Sequence, residues 1–382
     1  MAKKLYIGVD NAARQVKKLY IGNDGIARKV KKGYIGINGV ARQFYSMQKE
    51  LAYWGEASAL STAVYNASSA TTADYVLFAG GETNIGYSST TTAYDINGTK
   101  YSCTALTKAR STMGAGSIGG RAVFGGGGDS RSVYNTVESY NNTLTKSTLT
   151  TLSAARWGIS SAVVGGYLLF AGGTTSSTGT TTVNAYDTSF TRTNATALAR
   201  GRFRLMGASN GTHAVFAGGE YNTNMPVNNA DCYDANLSKL TVSALSTARS
   251  VGGGASVGEY VLIAGGFTNS SWDSSNALEY YNAAMTKTAG TMLYSAYEIA
   301  GATGTHFALF AGGETGGNVD FSWPIRSYVQ TVDAELTQEF AESMPTNAKK
   351  TSAAYLNGKF FIGGGTTGSA YRDTVYIYEE ID

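Results

Sequence analysis

The chain has 382 residues, including 48 Gly and only 3 Pro, and charged residues make up 15% of it. Abundant Gly, Thr, Tyr and Asn favour short strands and tight turns over helices. The net charge of +3 is uneven, because residues 1–46 hold ten Lys or Arg against two Asp, whereas the remainder holds twenty against twenty-five acidic residues. No apolar run approaches the ~18 residues of a membrane span, so we expect no membrane insertion.

Residues 1–46 contain a basic motif that repeats every 14 residues. Each copy reads as a Lys-x-Tyr-Ile strand, a turn rich in Asn, Asp and Gly, and an Ala-Arg strand; Asn-Gly and Asp-Gly supply the positive φ angles of tight hairpins. Hairpins this small are stable only when packed on each other, on other subunits or on a partner. The three copies begin at Lys3, Lys17 and Lys31.

The placement of the lysines indicates what this arm binds. They flank strand residues, where Lys commonly guards an edge against unwanted pairing, and no aromatic platform is spaced for stacking bases. We therefore expect docking or homo-oligomerisation rather than nucleic-acid binding. The repeat unit resembles short repeats at the start of tail and other structural proteins of phages and prophages of Gram-positive bacteria. That resemblance implies an adaptor that joins a distal domain to virion or tail structural proteins.

Residues 47–382 are organised by an apolar run that ends in a glycine pair and occurs seven times. The spacings between successive pairs are 46, 46, 46, 47, 47 and 52 residues. A fixed period of this length is the signature of a repeat architecture. The pairs begin at Gly80, Gly126, Gly172, Gly218, Gly265, Gly312 and Gly364.

Further residues keep fixed positions around most glycine pairs. Downstream stands a Tyr followed by Asp or Asn, then a long polar side chain six residues later and a large apolar residue twelve residues later; upstream stands an Arg. These marks predict four strands per unit: a small-residue strand, the apolar-Gly-Gly strand, the Tyr-Asp strand and an outer strand. Seven such units must stack radially to bury their faces. The predicted apolar positions are Leu106, Leu152, Leu198, Leu245, Leu293 and Met344.

The succession of Arg, small-residue strand, apolar-Gly-Gly and Tyr-Asp resembles the kelch repeat. The outer-strand Trp usual in kelch repeats is absent from this sequence, so we expect blade packing to rely on the Tyr and Leu positions. Ala59–Ala63 matches Ala244–Ala248 at the same distance before its glycine pair, so residues 51–60 should complete the last blade and remove its open edge. The prediction is an all-β protein: a seven-bladed kelch-like β-propeller closed by an N-terminal strand and preceded by small β-hairpin repeats.

The candidate binding residues lie where the copies differ, in the loops after the glycine pairs. Aromatic residues amid Ser, Gly and Asn are typical of adaptable binding loops, and sugars are often held by aromatic faces with polar side chains. The alternative is that these aromatics pack locally in ordinary loops. The candidates are Tyr87, Arg131, Tyr134, Tyr221, Phe267, Trp272, Asp273, Phe321, Trp323, Arg326, Tyr371 and Arg372, together with Arg204 from the neighbouring loop.

Four arginines at the repeat position admit two interpretations. They could ring the channel mouth and attract anions, or bind backbone carbonyls as part of the scaffold; we favour the second. They are Arg110, Arg156, Arg202 and Arg249.

The sequence gives little support to catalysis. The two histidines, His213 and His306, both lead into the Gly-Gly strand, and Cys/His clusters with zinc spacing are missing from the sequence. Glu82, Glu220 and Glu314 follow glycine pairs, but a glycosidase needs paired carboxylates. We expect no enzyme, cofactor or metal.

The leading functional hypothesis follows from the two resemblances. It is a phage- or prophage-type virion protein, made in the bacterial cytoplasm and placed at the virion surface, whose propeller binds a host cell-surface glycan or protein. The alternative is a cytoplasmic kelch-type protein-interaction module, and a third hypothesis is a carbohydrate-active enzyme.

Overall fold

The computed structural model describes residues 49–316 and 324–381 and the backbone of six strands between residues 6 and 46. Every regular element in these ranges is a β-strand. The chain divides into two compact units, Met1–Ala52 with Glu380–Asp382, and Tyr53–Glu379. The first unit contains the three predicted antiparallel hairpins. They pair β1 (Tyr6–Val9) with β2 (Ala12–Gln15), β3 (Tyr20–Asn23) with β4 (Ile26–Lys29), and β5 (Lys32–Ile37) with β6 (Val40–Ser46).

The second unit is a β-propeller of seven four-stranded antiparallel sheets. Blades one to three contain β8 (Ser68–Thr71), β9 (Val76–Ala79), β12 (Thr91–Tyr94) and β13 (Lys100–Ser102); β14 (Gly114–Ile118), β15 (Arg121–Gly125), β16 (Val137–Tyr140) and β17 (Lys146–Leu149); and β18 (Ser160–Val164), β19 (Tyr167–Ala171), β20 (Val183–Tyr186) and β21 (Arg192–Asn194). Blades four and five contain β22 (Met206–Ser209), β23 (His213–Ala217), β26 (Ala230–Asp234) and β27 (Lys239–Leu240); and β28 (Gly253–Val257), β29 (Tyr260–Ala264), β30 (Ala277–Tyr281) and β31 (Lys287–Thr291). Blades six and seven contain β32 (Ala300–Thr303), β33 (Phe307–Ala311), β34 (Val329–Asp333) and β35 (Gln338–Phe340); and β36 (Ser352–Leu356), β37 (Lys359–Gly363), β38 (Val375–Ile381) and β7 (Glu50–Ala57).

The first strands of neighbouring blades lie against one another in a closed series, the seventh against the first. Small residues allow this approach: a Cβ on Gly254 would strike the backbone of Gly207, and one on Gly301 would meet the backbone of Gly254. The core lies between blades, as where Val123 of blade two packs with Leu168 and neighbours of blade three. The predicted small-residue strand is therefore the innermost strand, where blades crowd around the axis.

The glycine pairs join each blade to the next. The N–H of the second glycine donates to the carbonyl at the repeat Arg position of the following blade, at 2.7 to 3.0 Å, in all seven blades. The last of these bonds, from Gly365 to Val64, closes the ring. The first glycine has a left-handed φ, +62° at Gly218, and a Cβ there would collide with the Arg249 carbonyl. The glycine pairs therefore allow a close approach between blades at the end of the second strand.

The fixed position of the repeated Tyr is explained by its contact with the preceding blade. Its buried hydroxyl donates to a backbone carbonyl there at 2.6 to 2.8 Å, as from Tyr186 to Thr150. The long polar side chain six residues later does the same in most blades, as from Lys239 to Ala197 at 3.0 Å. The apolar residue predicted after the outer strand of blade five was wrong by one position: Leu293 is 47% exposed and Met292 is buried in its place.

The four repeat arginines are fully buried, which confirms the scaffold interpretation. Arg249 donates to the carbonyls of Gly265 and Ile263 and pairs with Glu279 at 2.5 Å. Burial alone would raise the pKa of Glu279, but hydrogen bonds from Arg249 and from Ser246 and Lys287 outweigh it and lower the pKa to about 2. Such pairs form because a buried guanidinium must be satisfied by its surroundings.

The seventh blade closes as predicted. Its sheet order is β36-β37-β38-β7, so the strand nearest the N terminus of the propeller supplies the outer strand of the last blade. The Tyr53 ring packs on Tyr378 with centroids 5.3 Å apart. All seven sheets of the propeller therefore have four strands.

Candidate ligand-binding face

One face of the propeller is built from the loops after the glycine pairs and the loops that carry the repeat Arg. In every blade a backbone bridge joins the two loops. The bridges hold both variable segments of a blade at one end of its sheet. They are Tyr65–Glu82, Ser111–Gly128, Trp157–Thr174, Phe203–Glu220, Ser250–Phe267, Tyr297–Glu314 and Lys349–Thr366.

A closed ring of seven backbone hydrogen bonds surrounds the axis on this face. Each ring residue lies two positions before the first strand of its blade, has a left-handed φ between +52° and +65°, and donates its N–H to the ring residue of the preceding blade at 2.7 to 3.4 Å. β-branched residues rarely adopt such φ angles, so Thr112 and Val251 are held there by the ring. We call this the axial ring; its members are Asn66, Thr112, Gly158, Arg204, Val251, Glu298 and Lys350.

Three carboxylates follow glycine pairs beside the axial ring; Glu220 and Glu314 are buried, and Glu82 is half-buried. Glu82 accepts hydrogen bonds from the Tyr65 hydroxyl at 2.8 Å, the Asn66 amide at 2.9 Å and the Ser111 hydroxyl at 3.0 Å. Burial, followed by the hydrogen bond to Glu82, raises the pKa of Tyr65 well above its usual range. The carboxylate therefore anchors loops from blades one and two.

Glu314 is held in a similar way by residues of blades six and seven. It accepts from the Tyr297 hydroxyl and from the Lys349 ammonium, both at 2.6 Å. Lys349 also lies 3.5 Å from Glu298, which in turn pairs with Lys350 at 3.4 Å. Alternating charges thus line this part of the axial ring.

Arg204 lies on the axial ring and is one third exposed. Its guanidinium pairs with buried Glu220 at 3.3 Å and lies 5.2 Å from the Trp157 ring centroid and 5.7 Å from Phe203. A cation over aromatic faces is stabilised by the ring quadrupole. The group combines a partly accessible charge with two aromatic side chains that the sequence prediction did not include.

Two predicted aromatics of blade five join a third from the neighbouring loop. Phe267 and Trp272 pack with centroids 4.3 Å apart, and Trp272 lies 5.5 Å from Tyr297. Phe267 is fully buried, so it supports the half-buried Trp272 instead of offering surface of its own. Asp273 accepts from the Asn269 amide at 2.6 Å, which fixes the loop.

The seventh blade brings Tyr371 onto Tyr65 of the first. The two rings stack with centroids 5.1 Å apart, Tyr371 is 37% exposed, and the Lys350 ammonium lies 5.0 Å from the Tyr65 ring. Arg372 acts through its backbone, which donates to Gly365. This stacked pair is an accessible aromatic surface next to a cation.

The predicted residues of blade two form a local turn. Asp129 accepts from the Tyr134 hydroxyl at 2.6 Å and from the Arg131 backbone at 2.7 Å. The bond from Tyr134 is the main reason that the pKa of Asp129 is lowered. Arg131 is exposed, whereas Tyr134 and Tyr87 of blade one are half-buried.

Two small hairpins carry apolar residues on their exposed turns. β10 (Glu82–Thr83) pairs with β11 (Gly86–Tyr87), and Ile85 between them is 92% exposed. β24 (Glu220–Asn222) pairs with β25 (Met225–Pro226), where Met225 is 57% exposed. Beside it Tyr221 is 36% exposed, with the Arg200 guanidinium 4.4 Å from its ring.

Arg326 completes the predicted residues that the structure describes. Its Nε donates to the Thr315 hydroxyl at 2.9 Å, and its guanidinium lies 5.7 Å from the Tyr328 ring. Phe321 and Trp323 lie outside the described residues. The candidates therefore do not converge on one point but form separate groups around the face.

Sequence reasoning missed the residues that immediately follow the repeat Arg position. Trp157, Phe203, Tyr297 and Lys349 each supply a ring or a charge to the groups described above. These positions also differ from copy to copy, which was the available signal. The predicted candidates, apart from Arg204, all belong to the loops after the glycine pairs, so these four residues were not among them.

The described ranges contain no group of three or more His, Cys, Asp or Glu suited to hold a metal ion. Nor does any helix in the part of the chain that the structure describes have the length and apolar character to cross a membrane. Cys103 and Cys232 are not joined in a disulfide.

Comparison with known proteins supports the architecture. No protein-family model and no curated protein matches the chain. Among solved structures, that of YjhT is similar over 75% of this chain and 99% of its own, with 14% sequence identity and a TM-score of 0.59. At that identity the likeness concerns the fold alone, and it agrees with the seven-bladed propeller.

Proposed function

We propose that this chain is a phage- or prophage-type virion structural protein. The hairpin arm docks to virion or tail proteins, and the loop face of a kelch-type propeller binds a host cell-surface glycan or protein. The arm repeats and the kelch-like order of residues supply the two resemblances on which this proposal rests.

One observation supports the loop face as the binding surface. Of the large apolar residues exposed by the described part of the chain, six belong to its loops or to the strand end beside them, and two lie on outer strands. Exposed apolar residues rimmed by polar groups are typical of interaction surfaces. The six are Ile85, Tyr221, Met225, Leu293, Phe340 and Tyr371.

A cytoplasmic kelch-type interaction module would use the same face for a protein partner. The two functions differ in whether the purified full chain binds bacterial surfaces by itself. Binding of the purified protein to intact Gram-positive cells and to a glycan array, in the absence of other proteins, supports the virion proposal. A chain that binds neither, but captures a cytoplasmic protein, contradicts it.

The aromatic groups of the face provide matched variants for that experiment. Tyr371→Ala and Trp272→Ala should each weaken binding, because each removes a ring beside an accessible polar group. Tyr101→Ala is the control, since this residue is 36% exposed on the outer strand of blade one, away from the loops. Binding that survives the loop variants refutes the assignment of this face.

A carbohydrate-active enzyme remains a second candidate because of the hydrogen-bonded Tyr and Glu pairs beside the axial ring. Tyr65 with Glu82 and Tyr297 with Glu314 place a phenol and a carboxylate in contact. Release of reducing ends from a bound glycan, lost in Glu314→Gln, would favour this function. Binding without turnover favours the adhesive one.

A further inference from the structure

The boundary between blades five and six departs from the repeat. Ala296 stands at the repeat Arg position, and the Tyr294 hydroxyl reaches the Gly312 carbonyl at 3.3 Å, the contact that an arginine makes in blades four and five. Two further aromatics replace small or polar residues at this boundary. Tyr328 corresponds to Thr90, Thr136, Thr182, Asn229, Ala277 and Thr374, and Phe340 corresponds by spacing to Ser102, Thr148, Asn194, Thr241 and Ala289.

These substitutions create an open groove of about 380 Å³ on the rim of the loop face. Tyr328 lies 5.3 Å from both Tyr294 and Phe340, measured between ring centroids. Leu293 is 47% and Phe340 49% exposed, so the groove has apolar walls that face solvent. A volume of this size is within the range of small-molecule sites.

The groove has one charge. Of the described residues that line it, Arg326 alone is ionised, and Ser295 and Thr315 supply hydroxyls. The Arg326 Nε is bound to Thr315, which orients the guanidinium near the Tyr328 ring. Its two terminal nitrogens make no hydrogen bond to another described residue.

We propose that this groove binds the pyranose ring of an acidic saccharide of the uronic acid type. The flat apolar face of the sugar packs on Tyr328 and Phe340, and the carboxylate accepts two hydrogen bonds from the terminal nitrogens of Arg326. This assignment rests on the proposed function, since it names the glycan chemistry that one part of the loop face recognises.

Charge and shape together favour a carboxylate-bearing ring. A single guanidinium matches a single carboxylate in a bidentate pair, and the aromatic walls require a ring to cover them. A linear polyol phosphate has the charge but no ring, and a neutral sugar has the ring but leaves Arg326 without an anion.

The test uses the full chain and isothermal titration with trigalacturonic acid, its methyl ester and a glycerol phosphate trimer. Wild-type protein should bind the acid most tightly. Arg326→Gln should weaken binding of the acid by about tenfold or more, the usual effect of losing a charge-assisted hydrogen bond, and leave the methyl ester unchanged. Tyr328→Thr should weaken both sugars, and it inserts the residue found at this position in four other blades, so the fold is retained.

The outcomes separate this inference from the broader function. Tyr101→Thr, on the outer strand of blade one, is the control for Tyr328→Thr. Equal affinity for the acid and its ester, tighter binding of the phosphate, or groove variants that bind like the wild type and this control would overturn the groove assignment. Absence of acid binding overturns it too. If the same protein nevertheless binds bacterial cells or other glycans, the proposed function stands; if it binds none of them, both fail.

Discussion

The repeated Tyr offers a test of how the blades hold together, because two of its copies differ in one bond. Tyr186 and Tyr378 are both fully buried at the same repeat position. The hydroxyl of Tyr186 donates to the Thr150 carbonyl at 2.7 Å, whereas that of Tyr378 has no hydrogen-bond partner among the residues that the structure describes. Tyr→Phe removes only the oxygen, so the two substitutions share every change except the bond.

The two substitutions should change the free energy of unfolding differently. Tyr186→Phe loses a buried hydrogen bond and leaves a carbonyl unpaired, which costs about 1 to 2 kcal/mol. Tyr378→Phe removes an unsatisfied buried hydroxyl, and because burying such a group is unfavourable, the variant should equal or exceed the stability of the wild type. Both proteins keep the ring contacts that exclude water from the boundary between blades.

Urea denaturation of the two variants and the wild type measures these differences directly. Since the denaturation midpoint scales with stability at constant slope, Tyr186→Phe should lower it and Tyr378→Phe should not. A loss of equal size in both variants would refute the account, because it would mean that the hydroxyl contributes nothing specific to blade contact.

Three further predictions concern the scaffold. Gly218→Ala should destabilise far more than Gly120→Ala, because both have left-handed φ angles but only the first has no room for a Cβ; the pair is compared by thermal melting, and similar losses would contradict the close blade contact. The pKa of Glu279 is about 2 in the folded chain and about 4.3 in the unfolded chain. The stability that its charge contributes is therefore fully present above about pH 4.3 and is lost as the pH falls towards 2. Glu279→Gln should lose less stability than the wild type over this pH range. Burial raises the pKa of Cys103 to about 11 and of Cys232 to about 12, so neither thiol should react with maleimide at pH 7 until the protein is unfolded.

Most of the fold could be predicted because its determinants are local and repeated. The glycine pair with left-handed φ recurs in all seven blades, and the Tyr that reaches the preceding blade makes its hydrogen bond in five of them. Together with the matching segment at Ala59–Ala63, these residues keep a fixed spacing. Leu293 was misplaced because one residue fewer separates the Tyr from the buried position in that blade, where Met292 is buried. Counting alone does not register such a shift.

The candidate site was less predictable because its groups form across blades. Tyr371 meets Tyr65 only when the ring closes, and Arg204 meets Trp157 only because neighbouring blades share the axial ring. The carboxylates show the same limit: Glu314 appears alone in sequence, yet its partner Lys349 comes from the next blade. Proximity between residues more than 30 positions apart follows from the closure geometry and not from either loop.

The central claim is that the loop face carries the function and the opposite face is scaffold. It is tested most directly by attaching a large polyethylene glycol through maleimide to Ile85→Cys on the loop face, or to Asn97→Cys in an exposed turn on the opposite face. A chain without the added cysteine is the control, because the native Cys103 and Cys232 are predicted to stay unmodified in the folded chain. We predict that binding to Gram-positive cells is lost when position 85 is blocked and retained when position 97 is blocked; the reverse result would contradict the account.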